Sequence, residues 1–379
     1  MILHIIDDEK FLVSAISLFE AIYPGKNVFL VGKDKVGYND YNVLKNLTKI
    51  IVKKINTLEY EDSYIQISKT VNFILFHNIY KTYKLELLRK YSTKVDAGWT
   101  FWGAELYGLN PYYNPLLPET KKAYFKSLPL RTYIKKVYFS KLKKHYYWFI
   151  LKNILKEGKL KYTLTNITED IDLLESYTNC KTNKCWFTYY NYKPNSIKKE
   201  AEYTLKRNVL IGNSSSETNN HLDAFNIIKD KDFTDRKIYI PLNYGDEKYK
   251  ELVVKQAENF FDIHANPLIE FLSLESYTSI INSCAVLIMN HKRQQGFNTI
   301  MMAIANGCKI FMREENTIFK MLKREGFIVF SIQKDIHIKN ALEALTEHEQ
   351  LINLKLLKTR YSKETVLKHI ERELQLIIK

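Results

Sequence analysis

The sequence predicts an α/β protein of two domains, each a parallel sheet wrapped by helices. Three observations carry this. The chain has 379 residues, too many for one ordinary core and well suited to two domains of roughly 150–200 residues each. It opens on an apolar run that ends in acids, ILHIIDD, as a central strand running into a loop would. Beyond residue 208, short apolar runs alternate with helix-period stretches, which implies a parallel sheet with crossover helices.

Taken in order, residues 2–6 read as a strand and 11–22 as a helix. A second strand covers 27–32 and ends in glycine. FILFHN at 73–78 is a buried strand, followed by a helical pattern over 80–91. The aromatic segment WTFWGAELY at 99–107 has no clear period. Residues 120–157 read as helical, a polar passage covers 163–172, and an aromatic strand at 185–192 closes this half. Lys193-Pro194-Asn195 is the linker candidate. In the second half, strands are expected at 208–211, 237–240, 285–289, 309–312 and 327–330. Helices are expected near 219–230, 246–261, 273–283, 297–306 and 315–325. The polar helical stretch 336–379 either caps the second domain or crosses back to the first. The expected division is therefore 1–193, 194–345 and a C-terminal helical segment, 346–379.

Hydrophobic content of 46% is ample for folded cores. The four cysteines, Cys180, Cys185, Cys284 and Cys308, form no CxxC pair and suit reduced thiols. Acids follow the opening apolar run at once, unlike a signal peptide, and no window approaches the roughly 18 uncharged apolar residues of a membrane span. A cytoplasmic protein is expected. The formal charge of +15 is in part a general basic surface, but it also clusters. From Arg131 to Lys161 there are ten Lys and Arg against one acid, Glu157. Tyr133, Tyr138, Phe139, Tyr146, Tyr147, Trp148 and Phe149 interleave them. This mixture suits an anionic membrane surface, with Lys135, Lys136, Lys143, Lys144 and Trp148 as the contacts. Nucleic acid would accept the same charges, but no RNP, KH or helix-turn-helix signature accompanies them.

In open parallel sheets, ligands sit beyond the carboxyl ends of the strands. Three second-half loops have the chemistry for a phosphate there. The first is Gly212-Asn213-Ser214-Ser215-Ser216, leading to Asn219, Asn220 and His221 at a helix start, where a glycine, hydroxyls, amides and backbone N–H groups converge. The second, Asn243-Tyr244-Gly245-Asp246, is a wall of the same pocket. The third runs Asn290-His291-Lys292-Arg293-Gln294-Gln295-Gly296-Phe297-Asn298-Thr299, directly after the strand AVLIM. Two cations, amides, a glycine and a helix N-terminus meet there, enough to neutralise a diphosphate leaving group. An ordinary helix-capping loop or a solvated basic turn would use the same residues.

The segments VLIGNSSSETNNH, IPLNYGD, SYTSIINSCAVLIMNHKRQQGFNTI, ANGCKIFMREEN and WGAELY resemble the 4-acetamido-4,6-dideoxygalactose (Fuc4NAc) transferases of enterobacterial common antigen synthesis. The likeness is dense from about 208 to 325 and thin elsewhere. It implies the GT-B fold, two Rossmann-like domains facing across a cleft. It also implies transfer from a dTDP-sugar to a lipid-diphosphate-linked oligosaccharide, by an enzyme peripheral on the inner face of the bacterial inner membrane. No cofactor is implied.

The catalytic group is harder to read. An inverting reaction needs a base from the first domain; Asp7, Asp8, His77 and Glu105 stand at strand ends or in WGAELY. Helix capping, a satisfied imidazole and a structural hydrogen bond explain the same residues. A retaining reaction needs no dedicated base. Asp170-Ile171-Asp172 is a DxD, the metal-holding pair of GT-A transferases, but TNITEDIDLLESY reads as a capped helix start. His and Cys spacings offer no zinc site. A dinucleotide fingerprint and a P-loop are both missing. A nucleotide-sugar epimerase of related fold and a basic nucleic-acid-binding protein are the alternative readings.

Overall fold

The computed structural model describes residues 1–9, 11–34, 41–192 and 206–378; the linker candidate Lys193-Pro194-Asn195 lies outside them. The chain opens with β1 (Ile2–Asp7), α1 (Leu12–Ile22), β2 (Asn27–Lys33), α2 (Tyr41–Lys45), β3 (Lys49–Lys54) and α3 (Leu58–Ser68). Next come β4 (Phe73–His77), α4 (Thr82–Lys90), β5 (Ala97–Thr100), α5 (Ala104–Leu109), α6 (Pro118–Ser127) and α7 (Leu130–Ile134). A wide π turn at Lys135–Phe139 leads to α8 (Ser140–Lys156), then β6 (Tyr162–Leu164), α9 (Thr168–Thr178) and β7 (Asn183–Cys185). The second half contains β8 (Asn208–Ile211), α10 (His221–Ile228), β9 (Ile238–Pro241), α11 (Glu247–Phe261), β10 (Ala265–Leu268) and α12 (Leu274–Ser283). It ends with β11 (Cys284–Met289), α13 (Phe297–Ala305), β12 (Lys309–Met312), α14 (Thr317–Arg324), β13 (Phe330–Ser331), α15 (Glu347–Tyr361) and α16 (Lys363–Ile377).

Two compact units result. The first comprises Met1–Tyr113, Ser140–Asn191 and Lys363–Lys379; the second comprises Asn114–Phe139 and Tyr192–Ser362. The first holds a seven-stranded sheet of order β3-β2-β1-β4-β5-β6-β7, the second a six-stranded sheet of order β10-β9-β8-β11-β12-β13. Every pairing is parallel. The central strands β1, β4 and β11 are buried along their whole length, as expected of sheets covered on both faces.

The expected division at 193 differs from the packing in two places. Residues 114–139 belong to the second unit, because Tyr124 and Leu128 of this stretch sit in its core with Val209, Phe225 and Tyr249. The C-terminal segment divides as well. α15 remains with the second unit, while α16 buries Val366, Ile370, Leu374 and Ile377 against Leu12, Ile16 and Phe19 of the first. That one-sided stripe recurs at three- to four-residue spacing, so α16 has a single face to bury.

Some element readings also change. β3 (KIIVKK) went unread because it is an edge strand whose lysines mask the apolar centre. β6 and β10 are three and four residues long and carry no sustained period. The strand expected at 185–192 ends at Cys185, and the one at 327–330 shrinks to Phe330–Ser331.

Candidate functional site

The second sheet reverses its strand order between β8 and β11. At such a switch point the flanking loops diverge, leaving a crevice beyond the carboxyl ends of the strands. The loops entering it are 212–220 after β8 and 290–296 after β11, with 242–246 after the neighbouring β9. The three loops are tied to one another through their own side chains. Gly212 takes φ +72°, and a Cβ there would lie 2.5 Å from His221 Nε2, so this turn needs glycine. Asn219 is the hub. Its Oδ1 accepts from Asn213 N (3.0 Å) and from His291 Nε2 (2.7 Å), while its Nδ2 donates to Ser214 O, Ser214 Oγ and Ser216 O. Asn213 Nδ2 donates to the Tyr244 hydroxyl at 3.0 Å, and Gln295 Nε2 donates to Asn213 Oδ1 at 3.1 Å. Ser215 is fully buried, pairs with Gly245 and donates both N and Oγ to Tyr244 O. A Cβ on Gly245 would strike the Ser215 backbone at 2.6 Å.

The loop after β11 ends on Gly296 at φ +68°, which is the N-cap residue of α13. Ile300 N is hydrogen-bonded to Gly296 O, so the amides of the first turn point out of the helix end toward the crevice. A Cβ at Gly296 would meet Met289 Cε at 2.8 Å and Asn213 Cγ at 3.1 Å. Glycine is therefore required by the turn itself. Arg293 is partly buried; its Nε donates to Thr218 Oγ1 at 3.3 Å, and Thr218 in turn donates to Gln295 Oε1 at 2.6 Å. Asn316, at the start of α14, braces the loop by donating to the carbonyls of His291 and Arg293. Lys292 turns aside and donates to Asn114 O at 2.9 Å. Gln294 is half-buried, Asn298 is exposed on the first turn of α13, and Thr299 faces Tyr277. Burial pushes the His221 imidazole down to about 3, and burial with Arg293 nearby holds His291 well below its ordinary value. Both rings are neutral, so Arg293, Lys292 and the helix end supply the positive potential.

The structure thus brings together the predicted Gly212, Asn213, Ser214, Ser215, Asn219, His221, Tyr244, Gly245, Arg293, Gln295 and Gly296. Sequence reasoning missed Thr218 and Asn316, and named Asn290 only as the first residue of its loop. For the two asparagines the signal is their place at loop ends, where a short amide can bond the backbone of two loops at once. Asn290 shows this, donating to Asn220 O while Asn220 donates to Asn290 O.

The first sheet reverses between β1 and β4, and the four candidate bases gather near that edge. Asp7 is fully buried; its carboxylate meets Lys84 Nζ at 2.6 Å, Tyr83 OH at 2.9 Å and Lys81 Nζ at 3.1 Å. Burial alone would raise its pKa, but Lys84 and Lys81 together hold it below the ordinary aspartate value. His77 lies in a buried chain. Asn27 gives its Nδ2 to the carbonyls of Phe19 and Tyr23, so its Oδ1 accepts from His4 Nε2 at 3.1 Å. His4 Nδ1 then accepts from His77 Nε2 at 2.9 Å, and His77 Nδ1 accepts from the Tyr189 hydroxyl. Burial lowers both imidazole pKa values, that of His4 to about 3. Glu105 is also fully buried: Oε1 accepts from Ile79 N at 2.8 Å, and burial outweighs the surrounding amides to raise its pKa to about 7. Asp8 remains partly open to solvent beside Tyr41, whose phenol pKa is raised by burial and by that carboxylate.

Two further expectations meet the structure. Asp170 is buried and accepts from Tyr107 OH, while Asp172 is exposed and paired with Lys184. Two places apart on α9, these carboxylates point in different directions. The helix does begin at Thr168, though its N-cap residue, Ile167, makes no side-chain capping bond. Among the described residues no group of three His, Cys, Asp or Glu is arranged to hold a metal ion. For the basic segment, Trp148 needs correction: it is buried in the first core with Leu151 and Ile154 and is out of reach of a bilayer. Lys136 is drawn to Asp246 (3.1 Å) and the Tyr124 ring. Lys135 and Lys143 are exposed and Lys144 half-buried. Beside them, α8 exposes Leu142, Tyr146 and Phe149, and the preceding stretch exposes Leu130, Ile134, Tyr138 and Phe139. No described helix is long and apolar enough to cross a membrane.

Solved structures of the GT-B fold share this arrangement. Anabaena Alr3699/HepE, solved with UDP and glucose, aligns at a TM-score of 0.63 with 11% identity, over 99% of this chain and 100% of that one. Sucrose-phosphate synthase from Thermosynechococcus elongatus gives 0.66 at 8% identity, over 99% and 98%. WaaG, a glycosyltransferase of lipopolysaccharide biosynthesis, gives 0.59 at 8% identity, over 100% and 99%. These likenesses establish the fold. A profile of the 4-alpha-L-fucosyltransferases, glycosyl transferase group 56, matches residues 137–366, more than half of the chain and including all three loops of the crevice. The protein is a glycosyltransferase of the GT-B fold and belongs to the group 56 4-alpha-L-fucosyltransferase family.

Proposed function

We propose that this enzyme transfers a 4-acetamido-4,6-dideoxygalactose-like sugar from a dTDP-linked donor to a lipid-diphosphate-linked oligosaccharide at the cytoplasmic face of the membrane, without a metal ion. The observation that carries the donor half is the loop pair at the β8/β11 crossing. Arg293, Gln295, Asn213 and the first-turn amides of α13 converge there. That set can neutralise and orient a diphosphate with fixed dipoles and one guanidinium. HepE, of the same fold, is described in complex with UDP and with UDP-glucose, which supports a nucleoside diphosphate as the ligand class. The sugar agrees with the family in its chemistry, being a fucose with the 4-hydroxyl replaced by an acetamido group.

On the acceptor side, the exposed apolar residues of α8 recur at Leu142, Tyr146 and Phe149, on one helical face beside Lys141 and Lys143. An apolar stripe edged by lysines suits an anionic bilayer. Among the four carboxylate and imidazole candidates, Asp8 takes the role of base in an inverting transfer. Asp7 is committed to two lysines, His77 has both ring nitrogens engaged, and Glu105 is fully buried.

The test is transfer itself. The protein in EDTA, given dTDP-4-acetamido-4,6-dideoxygalactose and a polyprenyl-diphosphate disaccharide, should yield the trisaccharide product by mass spectrometry. GDP-fucose should be a poor donor. Turnover with GDP-fucose alone, or only with a divalent ion, would overturn the donor and metal assignments.

A further inference from the structure

Within the second unit, residues 114–139 tie themselves to all three loops of the crevice. Lys292 of the loop after β11 donates to Asn114 O at 2.9 Å. Asn220, closing the loop after β8, accepts from Leu117 N at 2.8 Å and donates to Pro115 O at 3.0 Å. In the loop after β9, Asp246 Oδ2 accepts from Tyr124 OH at 2.8 Å and pairs with Lys136 at 3.1 Å, while its Oδ1 caps α11 through Tyr249 N. Asp246 closes the loop whose Tyr244 hydroxyl accepts from Asn213 Nδ2.

Lys136 stands on a short element. α7 has five residues and runs into the π turn at Lys135–Phe139. So short a helix, continued by a π turn, is held by packing more than by its own hydrogen bonds. Its inward contacts are Tyr133 on Phe125, with ring centroids 5.7 Å apart, and Lys136 on Asp246 and the Tyr124 ring. Leu130, Ile134 and Tyr138 recur at every fourth residue and are 74%, 39% and 62% open. Arg131 and Lys135 are exposed among them, and the sequence has no acid between Glu119 and Glu157. An apolar row set among cations, with no acid, complements an anionic bilayer.

We infer that residues 114–139 act as a strap through which an anionic bilayer tightens donor binding. Lipid against Leu130, Ile134 and Tyr138 steadies the short helix and its turn, and Tyr124 and Lys136, as positioning residues, then hold the loop 242–246 in place. The inference rests on the membrane and dTDP-donor readings above and adds a coupling between them. Such coupling is reciprocal: dTDP must strengthen bilayer binding by the factor by which the bilayer strengthens dTDP binding.

The experiment is calorimetric titration of dTDP in EDTA into the full-length protein, alone, with phosphatidylcholine vesicles and with phosphatidylglycerol vesicles. Co-sedimentation with and without dTDP gives the reverse measurement. Phosphatidylglycerol should tighten dTDP binding about 10-fold, within the usual range for two coupled sites, and phosphatidylcholine should leave it unchanged. The partition onto phosphatidylglycerol should rise by the same factor when dTDP is present. Asp246→Asn keeps a residue that can cap α11 but lacks the charge that Lys136 meets. It should sediment as the parent does, yet bind dTDP equally with and without lipid. Ile134→Ser with Tyr138→Ser, at lipid concentrations high enough to bind it fully, should also lose the tightening. Circular dichroism reports that both variants are folded. A parent that binds phosphatidylglycerol vesicles and dTDP independently would overturn the coupling and leave both readings standing. Full tightening in either variant would overturn the strap as its route. A parent that ignores phosphatidylglycerol vesicles, or dTDP, would remove the membrane or the donor reading respectively, and this inference with it.

Discussion

Replacing Lys84 with methionine removes the cation that holds Asp7 charged inside the first unit. Both side chains are fully buried and 2.6 Å apart, and Lys84 also donates to His77 O at 2.8 Å. Methionine keeps most of the volume, so the change is electrostatic more than steric. Removing one partner of a buried pair costs about 3–5 kcal/mol, because the other charge is left uncompensated. Lys81 and Tyr83 still reach Asp7 from the solvent side and from α4, which places the expected loss near 3 kcal/mol, the lower end of that range. The assay is urea unfolding of the first unit at pH 7, followed by tryptophan fluorescence, for the parent, Lys84→Met and the double variant Asp7→Leu, Lys84→Met. The double variant should lose less than the single one. The sign with pH follows from the lowered Asp7 value. In the parent the pair contributes fully above the unfolded aspartate pKa, about 3.9, and its contribution vanishes as pH falls through the lower folded value. Lys84→Met should therefore converge on the parent only in strong acid. Parent-like unfolding of Lys84→Met at pH 7 would refute the argument and return Asp7 to the group of titrating bases.

Three shorter predictions follow from the same geometry. Asp8→Asn should abolish transfer, lowering kcat by about 10²–10⁴-fold while leaving dTDP binding intact; an unchanged kcat would move the proton transfer elsewhere. Glu105, raised to about 7, keeps a proton between about pH 4.5 and pH 7 that the unfolded chain releases. Stability should therefore fall as pH rises through that window, by about 3 kcal/mol, and Glu105→Gln should flatten that slope; a slope equal to the parent's would mean that Glu105 is ionised in the fold. Leu142→Ser with Phe149→Ser should weaken binding to phosphatidylglycerol vesicles at least about 10-fold in a co-sedimentation assay, without changing the dTDP thermal shift. Parent-like sedimentation would leave the exposed stripe without a membrane role.

Much of the fold was legible because buried parallel strands announce themselves. FILFH and CAVLIM are continuous apolar runs, and each is buried from end to end. The Gly-Asn-Ser-Ser-Ser and Arg-Gln-Gln-Gly loops were legible for a related reason: glycine directly after a buried strand, as at Gly212, or directly before a helix, as at Gly296, marks a turn with positive φ, and both residues adopt one. Edge strands were not legible. β3 carries lysines at both ends and β10 contains Pro267, so their pairing depends on neighbours that local sequence does not reveal. The division of 114–139 was hidden too, since helix periodicity reports that a face is buried without naming the sheet that buries it. Asp223, on α10, decides the matter by accepting from Glu119 N and Thr120 N at the start of α6. The charge cluster at 131–161 was legible as composition, yet only packing separates Trp148, in the core, from Phe149, in solvent. Composition likewise could not distinguish the four candidate bases, because what separates them is burial and partners.

The central claim, that the β8/β11 crevice holds a nucleoside diphosphate without a metal, is tested most directly by calorimetric titration of dTDP in EDTA into the parent and Arg293→Ala. One lost hydrogen bond to a charged group is worth about 1.5–3 kcal/mol, so the variant should bind about 10- to 100-fold more weakly while the parent binds with EDTA present. Equal affinity in the folded variant, or parent binding that appears only with Mg²⁺ or Mn²⁺, would contradict it.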